Sequence, residues 1–178
     1  MYIIIGILVG LTLLVAYFYN KFVVGKNRVE SAFADIDAQL KRRHNLIPNL
    51  IQVVQGYATH EKTTFEELTA QRTAAIAAQG VKDNEAQETL ISASLKSVFA
   101  VAEDYPDLKA NKNFLDLQSE LAETEETISM ARRYYNGTVK QFNTMIQMFP
   151  ANIFAGVFGF KKRDFFQAKL SERKNIKL

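Results

Sequence analysis

The chain has 178 residues, no cysteine, no tryptophan, two histidines and three prolines. Without cysteine there can be no disulfide, thiol nucleophile or thiolate metal site. Two histidines give little for a metal centre, and their neighbours do not supply the rest. His60-Glu61 opens like the helical zinc-protease motif, but the second imidazole belongs four residues on, where Thr64 stands. A di-iron bundle needs Glu-x-x-His pairs, yet Lys41 precedes His44 at that spacing and Tyr57 precedes His60. No glycine-rich phosphate loop occurs either: Gly6 and Gly10 sit in an apolar run, Gly156 and Gly159 among phenylalanines. Ser171-Glu172-Arg173-Lys174 fits Ser-x-x-Lys, but in a charged tail without a companion motif. The expectation is a protein that is no enzyme, with no catalytic, cofactor-binding or metal-binding residue.

Charge is also missing where it counts. Residues 2–19 read YIIIGILVGLTLLVAYFY without one charged side chain. At about 1.5 Å per residue they span about 27 Å, close to the hydrocarbon thickness of a bilayer. A signal peptide would open with Lys or Arg and close on small residues, whereas this run ends in Tyr17, Phe18 and Tyr19, as at a membrane interface. Residues 1–20 are read as a single-pass transmembrane anchor, with Tyr2, Gly6, Gly10, Tyr17, Phe18 and Tyr19 as its markers. Gly6 and Gly10 form a small-xxx-small pair through which two anchors could approach.

Residues 21–43 carry six basic and three acidic side chains, residues 161–178 seven and two, and residues 44–160 nine and fourteen. Positive flanks stay on the cytoplasmic side. The expected topology therefore has the N-terminus outside and the bulk of the chain in the cytoplasm, at the cell (inner) membrane. Basic ends around an acidic centre suit anionic lipid and speak against a nucleic-acid partner.

Strand-like alternation is absent, which predicts an all-α protein. Val29, Phe33, Ile36, Leu40, Ile47, Leu50, Val54, Tyr57, Phe65, Leu68 and Ala75 step at a near-3.5 period, the seam of a bundle or coiled coil. Pro48 disfavours a straight helix: the chain either turns at His44 and Asn45, the favoured reading, or only kinks. Residues 21–149 thus form an antiparallel up-and-down bundle of four helices, or three if Pro48 merely kinks the first. A third helix is expected over about 84–104, with an Asn84/Gln87 capping box and Leu90, Leu95, Val98, Phe99 and Ala102 inward. The last helix, from about Asn113 to Gln147 or Met148, has Phe114, Leu117, Leu121, Ile128, Ala131, Tyr135, Val139, Phe142, Ile146 and Phe149 in its seam. Glu120, Glu123, Glu125 and Glu126 read as its wet face. Gln39, Arg43, Asn49, Arg132, Arg133, Asn136 and Asn143 form either a buried polar layer or exposed surface. Acids such as Asp35, Asp37 or Glu61 are the expected partners of the paired arginines.

Residues 150–178 are an aromatic and basic arm with a charged tail. The arm either packs on the bundle or lies at the lipid surface, where Phe154, Phe158, Phe160, Lys161, Lys162 and Arg163 are the candidate contacts. With four passes the arm returns to the anchor's end; with three it finishes about 50 Å away.

The blocks QLKRRHNLIPNL (39–50), GYATHE (56–61), YPDLKAN (105–111), ARRYYN (131–136), FNTMIQMFP (142–150) and FGFKKRDFF (158–166) together resemble the LemA family. Asn45 stands where that family often has Asp. The resemblance implies a membrane-anchored helical bundle and carries over no catalytic residue. The resulting expectation is a non-enzymatic membrane scaffold that self-associates as a homo-oligomer. Its alternative is an adaptor presenting the bundle to another membrane or signalling protein.

Overall fold

The computed structural model describes residues 1–166. The charged tail after residue 169 and its Ser-x-x-Lys match lie outside the described residues. Six helices follow one another: α1 (Tyr2–Gln55), α2 (Lys62–Ala77), α3 (Gly80–Glu103), α4 (Pro106–Lys109), α5 (Lys112–Met145) and α6 (Ala151–Val157). No strand occurs among the described residues. By proximity along and across the chain they divide into two units. Unit 1 combines residues 1–35 with 131–165, and unit 2 is built on residues 36–130. Helices α1 and α5 each contribute to both.

The expected turn at His44 and Asn45 does not form. Pro48 lies inside an unbroken α1, and the chain first reverses at residues 56–61, where Tyr57 N and Ala58 N both donate to Val54 O. A proline in mid-helix removes the bond to the carbonyl four residues back and costs about 3 kcal/mol or more. That carbonyl belongs to His44, and Arg72 of α2 donates its Nε to it at 2.7 Å. A side chain from another helix thus takes the place of the missing backbone donor.

Helix α3 begins earlier than expected, at Gly80, whose φ of 77° is left-handed and easy only for glycine. Asn84 is therefore buried inside the helix rather than capping it. Residues 107–111 are mostly a short helix opened by Pro106. Asn111 then caps α5, its Oδ1 accepting from Phe114 N at 3.2 Å.

Unit 2 has an aliphatic core of Ile47, Leu50, Val54, Leu68, Ile91, Val98, Leu108 and neighbours. Three residues expected in the seam are exposed instead: Tyr57 at 40%, Leu90 at 45% and Phe149 at 81%. Tyr57 and Phe149 fall beyond the ends of α1 and α5, where helical periodicity stops. On α3 the buried stripe runs Asn84, Glu88, Ile91, Leu95, Val98, leaving Leu90 one position off.

Candidate membrane-contact site

The apolar run forms the start of α1, and its side chains meet almost nothing. Tyr2, Gly6, Gly10, Tyr17 and Tyr19 are exposed and Phe18 is half-buried; Ile7 and Leu13 are 64% and 66% exposed. A β-carbon added at Gly6 or Gly10 would meet nothing within 4 Å. Burying one Leu, Ile or Val is worth about 1.5–3 kcal/mol, so this much apolar surface in water is a large unmet driving force. Among the described residues α1 is the one helix long and apolar enough to cross a membrane.

Where the run ends, an aromatic cluster begins. Phe18 stacks on Phe154 at 5.1 Å, Tyr19 meets Phe158 edge-on at 5.1 Å, and Phe160 lies 5.1 Å from the fully buried Phe22. Such pairs are worth about 0.5–1.5 kcal/mol beyond their buried area. The placement comes from how α6 stops. Gly159, at φ 71°, allows Phe160 N to donate back to Ala155 O at 2.9 Å and Gly159 N to Gly156 O at 3.3 Å. This paired C-terminal bonding turns the chain sharply and sends Phe160 towards α1.

Beyond Phe160 the arm is clamped to α5. Asn143 Nδ2 donates to Arg163 O at 2.9 Å, and Arg163 N donates to Asn143 Oδ1 at 2.8 Å. The Tyr135 hydroxyl donates to Asp164 O at 3.0 Å. Burial pushes the Tyr135 phenol above its ordinary range; Arg163 draws it back and Asp164 raises it again. The Arg163 side chain reaches Glu30 at 2.9 Å, whereas Lys161 and Lys162 are exposed. Of the six candidate surface residues, Phe154 and Phe160 are thus half-buried against α1 and Arg163 is ion-paired. The arm stands where the apolar run of α1 ends although Pro48 does not interrupt α1. Counting passes from the proline alone misplaced the reversal.

Sequence reasoning missed a second polar site, inside unit 2. Arg43, His44 and Glu88 are all buried. Arg43 Nη1 lies 2.7 Å from Glu125 and 3.3 Å from Glu88, and its Nη2 donates to Ser92 at 2.8 Å. His44 Nε2 shares a 2.6 Å hydrogen bond with the other Glu88 oxygen. The partners of Arg42 and Arg43 are thus on α3 and α5, Arg42 reaching Glu123 at 3.7 Å, rather than Asp35, Asp37 or Glu61. Glu125 correspondingly leaves the wet face. Glu88 was legible only as a charge within an apolar stripe. His60 stands exposed in the loop before α2. No group of three or more His, Cys, Asp or Glu side chains suited to a metal occurs among the described residues.

Among the described residues the fold and the site define an all-helical protein with one membrane-compatible N-terminal helix and an aromatic, basic arm folded against Phe18, Tyr19 and Phe22 of that helix. The LemA family profile matches residues 32–178, and the chain belongs to the LemA family. It is 25% identical over 177 residues to magnetosome protein MamQ 2 of Paramagnetospirillum magneticum, covering 85% of this chain and 65% of that protein. MamQ of Magnetospirillum gryphiswaldense is 23% identical with the same coverage. Protein LemA of Metamycoplasma hominis is 28% identical over 161 residues, covering 88% of this chain and 72% of its own. The chain therefore spans just under two thirds of the length of the MamQ relatives.

Proposed function

We propose that the protein is a non-enzymatic, membrane-anchored scaffold that self-associates through its helices. The observation that carries this reading is the continuity of α1: the exposed apolar run passes without a linker into the helix that holds the aromatic cluster. The anchor is then an integral part of unit 1, and what the bilayer fixes, the folded domain inherits. His44 is engaged by Glu88 inside a core and His60 stands apart, which supports a structural role over a catalytic one. The open surface at Gly6 and Gly10 supports close approach of two anchors. On the folded part, Ile76 and Leu90 present further exposed apolar area.

In this reading α1, α2, α3 and α5 form an antiparallel bundle in the cytoplasm, the N-terminus lies outside, and Phe158, Lys161 and Lys162 meet the headgroups. Anionic lipid contributes about 1 kcal/mol for each basic residue near the surface. An adaptor serving another membrane or signalling protein is the competing reading. Mass measurement of the detergent-solubilised full chain separates them: a scaffold runs as an oligomer, and a discrete monomer counts against it. External trypsin on cells with the outer barrier opened should leave Arg42 and Lys161 uncut. Efficient cleavage there would reverse the topology.

A further inference from the structure

Unit 1 contains a groove of about 990 Å³ along α1 and α5. Its lining includes three cations, Lys21, Arg28 and Lys140, and no aspartate or glutamate. Its floor is apolar and close: a β-carbon at Gly25 would stand 2.7 Å from Met145 Cε and 3.0 Å from Phe142 Cδ2. Gly25 therefore lies level with Phe142 and Met145, while Phe33 meets Tyr135 at 5.9 Å. As numbers rise along α1 they fall along α5, which puts Lys140 level with Arg28. At about 1.5 Å per residue, Arg28 sits about 13 Å beyond Tyr19 and Lys21 about 3 Å beyond it. The groove is thus graded, with Phe18 and other apolar lining beside Lys21 at the end where α1 becomes the apolar run, and with Arg28 and Lys140 level with each other at the other end.

We propose that this groove holds one anionic phospholipid drawn from the bilayer that α1 enters. The phosphate sits between Arg28 and Lys140, where charge-assisted hydrogen bonds replace its water. The upper acyl chain covers Gly25 and Met145, whose thioether adapts to an irregular chain, and runs past Phe18 back into hydrocarbon. Lys21 lies on the headgroup's path. A soluble acidic peptide fits less well, because the groove starts within the apolar run and its occupant must share that environment.

The inference rests on the membrane-anchored reading, and the test keeps the two apart. Full-length protein, delipidated in detergent, is titrated with phosphatidylglycerol and with phosphatidylcholine and observed by native mass spectrometry. One phosphatidylglycerol should be retained, preferred by about tenfold or more over the neutral lipid, a factor of ten being 1.4 kcal/mol. Arg28→Gln with Lys140→Gln should abolish the preference. Gly137 lines the groove, and a β-carbon there meets nothing within 4 Å. Gly137→Leu should therefore fill the space, improve helix propensity and exclude the lipid while the unfolding temperature holds or rises. Equal retention of the two lipids, or a preference that survives both variants, overturns the proposal. So does a dimer that these variants dissolve, which would give the groove to a second copy. Release of the full chain from membranes by carbonate would sink the anchor reading itself. An integral protein with an unselective groove sinks only this inference.

Discussion

Units 1 and 2 draw on the same two long helices, yet different chemistry holds each together. Unit 1 closes with aromatic rings, Phe18, Phe22, Phe154 and Phe160, and with backbone clamps from Asn143 and Tyr135. Two of its ion pairs, Lys26 and Arg163 with Glu30, are exposed. Unit 2 closes with an aliphatic core and places an arginine, a histidine and a glutamate inside it. The difference matches what each must do. Tyr19, edge-on to Phe158 and Phe160, adds a ring with a polar edge where the exposed apolar run of α1 ends. A buried charge network, costly unless every partner is in place, allows only one register between α1, α3 and α5. Aromatic packing tolerates small slips, and a buried ion pair does not.

The largest effect that could break this comparison is at Arg43. Arg43→Ala leaves Glu88 buried without its cation and should cost about 3–5 kcal/mol. Arg163→Ala removes an ion pair whose side chains are 40% and 51% exposed and should cost under about 1 kcal/mol. Urea titration of the two variants reads both. Similar losses would mean that the units do not differ as described.

Next come the faces of α5. Leu121→Ala and, on α1, Ile36→Ala remove buried side chains and should cost about 2–5 kcal/mol. Glu125→Ala removes the 2.7 Å partner of buried Arg43 and should cost about 1–3 kcal/mol. Glu126→Ala, at an exposed position, should stay within about 0.5 kcal/mol. If Glu125 and Glu126 behave alike, the acidic run is a uniform wet face after all.

The long apolar helix and the seams of α1 and α5 were legible because apolar spacing is a local property of a helix. Val29, Ile36, Leu40, Ile47, Leu50 and Val54 are all buried. What was not legible depends on partners distant in the chain. Nothing near Pro48 says that Arg72 will satisfy the His44 carbonyl, so a turn looked cheaper than a continuous helix. Nothing near Glu88 names Arg43 and His44, so its place in a buried network could not be read. The aromatic and basic character of the arm was plain. Its docking was not, because it depends on the left-handed Gly159 and on Asn143, which sequence alone could place only in a general polar layer.

The bond from Arg72 sharpens the account of unit 2 further. Arg72→Ala should leave the His44 carbonyl without a donor and cost about 1–3 kcal/mol. Pro48→Ala restores the backbone N–H and should stabilise α1, because proline is poorly tolerated in a helix interior. In the Pro48→Ala background, Arg72→Ala should then cost clearly less. A double-mutant cycle measures the coupling. Strictly additive losses would show that Arg72 does not stand in for the proline's missing donor.

The smallest expected effect is on the other side of the comparison, at Tyr135 in unit 1. Its phenol is buried, and its hydroxyl donates to Asp164 O at 3.0 Å. Burial raises its pKa above the ordinary 10.0, with Arg163 opposing and Asp164 adding to the shift. A phenol whose folded-state pKa is raised stabilises the fold in its neutral form. That contribution is fully present below the unfolded value near 10 and is lost as pH rises through the folded value. Stability of the wild-type protein should therefore fall as pH is taken above about 10, and Tyr135→Phe should lessen that fall. The same variant should lose about 0.5–1.5 kcal/mol at neutral pH through its missing hydrogen bond. Ultraviolet absorbance follows phenolate formation directly: the chain has seven tyrosines, and Tyr135→Phe should delete a component that titrates above pH 10. If that component survives the substitution, the clamp between Tyr135 and the arm is open in solution, and unit 1 rests on its aromatic rings and the Asn143 clamp.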